Sequence, residues 1–288
     1  MSDDDFSDAA LVLLGHGTIQ NPDSSAPVYQ HAAELRKLKM FLQVREAFWK
    51  QDPQVTNVFK ETLAIVPAKP NRIFVVPLFI SEGYFSENII PDALGFQREQ
   101  RKLSRVQRSG VQLSFFCNPI GNHESMTEVL LTRAREVVQR FPFPRAPVPK
   151  DITLFIAGHG TGRDANSRAV VDHHARSIRA RNLYAAVHTV FLDDEPPIAA
   201  CYNMAQTRNL VVVPFFISDG LHVREDIPVL LGEPERIVST RLAQGQPTWR
   251  NPTEKHGKLV WYSPSVGTDP SITKVILERV REAAKWHP

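Results

Sequence analysis

Residues 11–17 read LVLLGHG, and residues 154–160 read LFIAGHG. Each is a short apolar run ending on Gly-His-Gly, the pattern of a buried strand running into a tight turn. The two stand 143 positions apart. Two further pairs follow in the same order. FVVPLFISEG (74–83) answers to VVVPFFISDG (211–220) at a spacing of 137, and PIGNHESMTEVLL (119–131) to PSVGTDPSITKVIL (264–277) at about 146. Three similar blocks in one order mean two copies of one unit. The copies divide near RFPFPRAPVPKD (140–151), whose prolines suit a linker. A first lobe at 1–145 and a second at 146–288 are therefore expected.

Apolar spacing between the blocks predicts alternating strands and helices. First strands are expected at 11–14 and 152–157, second strands at 55–59 and 186–192, and third strands at 73–80 and 210–217. Helical spacing of Leu35, Leu38, Leu42, Ala47 and Phe48 predicts a helix over 34–49, matched by 170–181 in the second copy. Closing helices are expected at 125–139 and 271–285. Strands apolar on both faces, alternating with helices, indicate α/β architecture: two tandem Rossmann-like lobes with parallel sheets, produced by internal duplication.

The bulk composition narrows the function. Of 288 residues, 42% are hydrophobic and 23% charged, which suits a globular chain with a real core. A net charge of +3 is too small to indicate nucleic acid, and no apolar run reaches the ~20 residues of a membrane span. The opening MSDDDFSDAA has neither a basic nor an apolar segment, so a cytoplasmic location is the expectation. Cys117 and Cys201 are too few for a disulfide framework or an iron–sulfur cluster. No organic cofactor is expected, and nothing in the sequence bears on oligomeric state.

In open parallel sheets, ligands bind beyond the carboxyl ends of the strands. In the second copy the first strand delivers Gly158, His159 and Gly160 there. The second delivers Asp193, Asp194 and Glu195, and the third delivers Asp219 to His222. Two imidazoles and a carboxylate at one sheet edge suit a divalent first-row transition metal with positions left open. The glycines beside His159 are expected to let backbone and substrate come close. The first copy has His16, Glu61 and Phe85 in the corresponding places, so it keeps one imidazole and lacks the other. His173 and His174 read as surface or packing residues of a helix, and Cys201 as helix core.

The blocks GHGTGRDANSR (158–168), FLDDEPP (191–197) and VVVPFFISDGLHVREDIP (211–228) resemble the sirohydrochlorin chelatases of the CbiX type, among the class II chelatases. The first copy resembles the same pattern in LLGHGT (13–18) and VVPLFISEGYFSENIIP (75–91). The resemblance leaves out the termini and an insert at 232–256, which is expected to be a lid or a loop. It implies two chelatase-like lobes and an enzyme, a lyase, that inserts Co²⁺ or Fe²⁺ into sirohydrochlorin during cobalamin or sirohaem biosynthesis. The metal is then a substrate, handled by His159 and His222. The family's carboxylate after the second strand falls on Asp193, with Asp194 as its rival. Sirohydrochlorin carries many carboxylates, for which Arg163, Arg168 and Arg224 are candidate partners. Gly158, Gly160 and His16 complete the expected substrate site.

Neutral imidazole can hold a divalent metal loosely and then accept the pyrrole protons that the metal displaces. Protons and metal compete for the same ring nitrogens, so binding should weaken in acid. The competing expectations are a metal carrier without turnover, a regulatory paralogue, and a hydrolase using His159. Against the last, no P-loop and no Gly-x-Ser-x-Gly elbow is present. Ligand type does not separate cobalt from iron.

Overall fold

Each Gly-His-Gly block ends an interior strand, next to the edge strand, of a five-stranded sheet in the computed structural model, which describes residues 5–18, 21–65, 72–96, 104–109, 112–160 and 165–285. The elements run β1 (Phe6–Gly15), α1 (Ala26–Lys37), β2 (Phe41–Phe48), α2 (Val55–Ile65) and β3 (Arg72–Pro77). A π-helical turn, Phe85–Ile89, then leads into α3 (Ile90–Ala93), β4 (Ser104–Ser109), β5 (Gln112–Cys117) and α4 (Met126–Arg140). The series repeats as β6 (Ile152–Gly158), α5 (Ala165–Ala180), β7 (Ala186–Phe191), α6 (Cys201–Met204) and β8 (Asn209–Pro214). A second π-helical turn, His222–Asp226, precedes α7 (Ile227–Leu230), α8 (Glu235–Ala243), β9 (Thr253–Lys255), β10 (Lys258–Tyr262) and α9 (Ile272–Ala284).

The strand orders are β2-β1-β3-β5-β4 and β7-β6-β8-β10-β9. Four strands of each sheet are parallel, and β4 and β9 close one edge antiparallel. Parallel α/β lobes in duplicate are thus what the chain forms, with an antiparallel edge strand added to each. In both sheets the chain winds outward in opposite directions from the central pair, so the topological switch points lie between β1 and β3 and between β6 and β8. A crevice opens beyond the carboxyl ends of such a pair. The two Gly-His-Gly turns and the two π-helical turns follow those strands.

Two sequence expectations are corrected. Residues 34–49 are not one helix, because α1 ends at Lys37 and β2 starts at Phe41. Lys39 has φ +53°, a left-handed residue that stops the helix, and Ala47 and Phe48 are buried in register beside Leu14 and Gly15. Residues 55–59 are not the second strand but the start of α2, whose Val55, Val58 and Phe59 pack on the sheet at helical spacing. Glu61 therefore lies on a helix, where it pairs with Arg45 at 2.5 Å, and not at a strand end.

The chain forms two compact units, one made of residues up to His123 together with those from Pro270 onward, the other of Glu124–Asp269. Sequence halves and units differ by one helix each. α9, last in the chain, packs on β3 and β5 of the first unit, and α4 packs on β8 and β10 of the second. A buried arginine latches each helix to the loop after its sheet. In the first unit, Arg279 donates Nε and Nη2 to the Pro119 carbonyl at 3.0 and 2.8 Å. In the second, Arg133 donates Nε to the Ser265 carbonyl at 3.1 Å and Nη2 to Thr268 Oγ1 at 2.9 Å. In the same loops a Cβ on Gly121 or Gly267 would lie 1.9 or 2.0 Å from the carbonyl oxygen of Ile80 or Ile217, so only glycine fits.

The 232–256 insert is more than a bare loop. It supplies α8 and edge strand β9, and it buries Val238 and Trp249. No helix among the described residues is long and apolar enough to cross a membrane.

Candidate metal-handling site

β6 is buried along its whole length and stops at Gly158, which delivers His159 to the sheet edge beside the switch point. His222 arrives from β8 as the first residue of the π-helical turn, a local overwinding that recurs at functional positions. The two rings meet edge to face, with centroids 5.0 Å apart. Phe216 packs against both, at 6.3 and 6.2 Å, and forms an apolar floor.

The two imidazoles are held differently. Nδ1 of His222 stands 2.6 Å from Asp226 Oδ2. With the carboxylate as acceptor, Nδ1–H is the donor, and the lone pair is left on Nε2. A carboxylate behind a histidine fixes the tautomer and the orientation of the ring, as in metal sites generally. Nδ1 of His159 is buried and makes no hydrogen bond, and Asp193 Oδ2 lies 3.3 Å away. Asp226 was absent from the site read in the sequence. Its signal was the spacing of four from His222, one helical turn.

Asp193 and Asp194 part company here. Asp194 accepts a hydrogen bond from Arg168 Nη1 at 2.8 Å and another from the Glu195 amide at 2.7 Å. The Arg168 hydrogen bond is the larger cause that holds the Asp194 carboxyl below its ordinary pKa. Arg168 also donates to the Glu195 carbonyl at 2.7 Å and lies over the Phe191 ring at 4.9 Å. Arg168 and Asp194 thus tie the turn after β7 to α5, while Asp193 is the carboxylate beside His159.

The glycines serve the same turn. Gly160 has φ +64°, and a Cβ on it would lie 2.8 Å from Asp194 Cβ. A Cβ on Gly158 would meet Val171 at 2.8 Å. Both positions therefore exclude a side chain, which packs the turn closely against Val171 and Asp194.

Arg224 lines a cavity of about 780 Å³ together with Arg133, Arg140, Asp219, Trp249 and Tyr262, and neither site histidine reaches it. Arg163 lies outside the described residues. His16, at the end of β1, keeps Nδ1 3.0 Å from the Gly17 carbonyl and stacks edge-on to Phe85 at 5.7 Å. His173 pairs with Glu124 at 2.9 Å, and His174 is buried with Nδ1 2.9 Å from Thr127 Oγ1. Cys117 and Cys201 are both buried and free, and burial raises both thiol pKa values, that of Cys201 to about 12. Neither is a ready thiolate.

Among the described residues, no three His, Cys, Asp or Glu side chains converge as a finished metal cage. The second unit offers two imidazoles, one of them backed by a carboxylate, and an exposed acid alongside. Such a set can hold a divalent ion loosely, with most of its coordination open to exchange.

A family model described as CbiX matches the chain twice, over residues 10–137 and 153–283. The chain is 38% identical over 285 residues to a probable sirohydrochlorin cobaltochelatase of Halobacterium salinarum, covering 95% of this chain and 91% of that protein. A multi-domain protein of Deinococcus radiodurans, structurally similar to chelatases and with two additional domains, superposes with a TM-score of 0.75 at 25% identity. The match covers 96% of this chain and 55% of that one. The sirohydrochlorin chelatase SirB of Bacillus subtilis subspecies spizizenii, solved with cobalt, superposes with a TM-score of 0.62 at 17% identity, over 96% and 95% of the two chains. At that identity the likeness is one of fold.

Proposed function

The chain belongs to the CbiX family, and from that premise we propose that it is a sirohydrochlorin chelatase that inserts Co²⁺ into the macrocycle at the histidine pair of its second unit. The observation that carries the reading is the His159–His222 pair, 5.0 Å apart, with Asp226 behind His222. The preference for cobalt over Fe²⁺ leans on the name of the Halobacterium salinarum relative. It makes cobalamin synthesis the expected pathway, with sirohaem synthesis the alternative if iron is preferred.

Insertion exchanges two pyrrole N–H protons for one divalent cation. Nε2 of His222 and the ring of His159 receive the hydrated ion, displace part of its water shell and release it to the four pyrrole nitrogens. The vacated imidazole nitrogens then take up the displaced protons. Asp226 steadies the imidazolium on His222, and Asp193 does so on His159, so the product-side charge is balanced where it forms. Loose coordination serves the reaction, because a fully caged ion would not leave. Arg168 acts through Asp194 as a positioning residue of the 193–195 turn. Arg224, which lines the cavity with Arg133 and Arg140, would meet substrate carboxylates from that side.

The test is direct: anaerobic protein, sirohydrochlorin, and either Co²⁺ or Fe²⁺, followed by the change in the macrocycle's absorption. His159→Ala and His222→Ala should each lower the insertion rate by about 10²-fold or more. Insertion at the wild-type rate by either variant contradicts the assignment. Metal binding without any change in the tetrapyrrole spectrum would favour a metal carrier.

A further inference from the structure

The sheet edge of the first unit has the backbone of the metal-handling site and opposite chemistry. His16 stands where His159 does, and Lys50 where Asp193 does, each 143 positions earlier, while Phe85 stands 137 before His222. The local scaffolds coincide. The Lys50 amide donates to the His16 carbonyl at 2.8 Å, as the Asp193 amide does to the His159 carbonyl at 2.9 Å. Gly17 and Gly160 both take positive φ, +72° and +64°, and Phe85 and His222 each open a π-helical turn.

The side chains invert the charge. The Lys50 ammonium lies 5.4 Å from the centre of the Phe85 ring, and no carboxylate pairs with it among the described residues. Desolvation, and after it the Lys50 charge, hold the His16 pKa below its ordinary value. The second unit's sheet edge therefore presents two imidazoles and an acid, and the first unit's an imidazole, a cation and exposed aromatic faces. Tyr84 is 68% exposed and Phe85 39%. A divalent ion is repelled by the first unit's set, whereas a carboxylate carried on a flat conjugated ring is matched by it: ammonium to carboxylate, aromatic face to ring.

We propose that the first unit's sheet edge, centred on Lys50 with Phe85 and Tyr84, is a carboxylate-binding site that takes an acidic side chain of the tetrapyrrole. The identity of the ligand rests on the chelatase reading, while the exclusion of metal does not.

Two measurements test it. First, metal-free sirohydrochlorin is titrated into wild type, Lys50→Arg, Lys50→Ala and Lys50→Glu, with Co²⁺ alone titrated in parallel. The Kd for sirohydrochlorin should rise about tenfold or more in Lys50→Ala and further in Lys50→Glu, with Lys50→Arg near wild type and the Kd for Co²⁺ unchanged throughout. Unchanged sirohydrochlorin binding by Lys50→Glu overturns the proposal. So does citrate binding that Lys50→Glu abolishes while sirohydrochlorin binding stays intact, since the site would then serve free carboxylates. Second, Lys50→Asp combined with Phe85→His should create a second Co²⁺ site, raising the stoichiometry from one to two per chain. A stoichiometry that stays at one in the folded double variant overturns the claim that these side chains are what separates the two sheet edges. This second measurement needs no tetrapyrrole, so it distinguishes failure of the proposal from failure of the chelatase reading.

Discussion

At His222 the proposed chemistry rests on a carboxylate four residues along the same turn. Asp226→Asn keeps the shape and removes the charge that fixes the Nδ1–H tautomer. The expected result is a loss of about 10- to 100-fold in Co²⁺ affinity and in insertion rate, with the fold intact by circular dichroism. An unchanged Co²⁺ affinity would make that hydrogen bond merely structural. Asp226 was legible in principle, because the partners sit one helical turn apart in VVVPFFISDGLHVREDIP. The division of labour between Asp193 and Asp194 was not. It is decided by Arg168, 26 residues away on α5, which claims Asp194 and leaves Asp193 beside His159. Local spacing carries no trace of such a pairing. The same holds for Lys50: once α2 was misread as a strand, Glu61 occupied the place that β2 and its following turn give to Lys50.

The legibility of the elements followed the strength of their stop signals. The helix of the second copy ends at Ala180, and Asn182, at φ +49°, is a residue type that tolerates the left-handed conformation and marks the end of a helix. In the first copy Lys39 takes that conformation, at φ +53°, and lysine announces nothing. The apolar positions of β2 therefore seemed to extend α1. The arginine latches lay beyond local reading too, since each spans more than 130 residues in sequence. Around Arg279, partial burial would raise the pKa of Glu282, but hydrogen bonds and charge from His123 and Arg279 bring it down to about 2, from an ordinary 4.5. A depressed carboxylate pKa adds stability that is fully present above about 4.5 and is lost as pH falls toward 2. Glu282→Gln should flatten the dependence of stability on pH across that window, measured by urea unfolding at a series of acid pH values. An unaltered slope would mean that the Arg279 cluster contributes nothing to acid stability. Gly121→Ala and Gly267→Ala each drive a methyl into a backbone carbonyl. Each should cost about 3–5 kcal/mol in thermal or urea unfolding, and a cost below about 1 kcal/mol would show that the loops can give way.

At the scale of the whole chain, duplication was plain from three block pairs, but the exchange of α4 and α9 between sequence halves was not. The two helices carry similar residues on the same face, so sequence alone does not say which sheet each covers. Cutting the chain at 145/146 leaves each fragment with the other unit's helix and without its own. Fragments 1–145 and 146–288 should unfold without cooperativity when alone and regain a cooperative melt when mixed, and two independently cooperative fragments would contradict the exchange. The two copies share one scaffold and have diverged in charge, and the proposed function confines metal chemistry to the copy that carries His159 and His222. The most direct test of that confinement is anomalous X-ray scattering at the cobalt edge from crystals equilibrated with Co²⁺. The account predicts one dominant peak within coordination distance of both His159 and His222, and none at His16. A dominant peak at His16, or one that touches neither histidine of the pair, would contradict it.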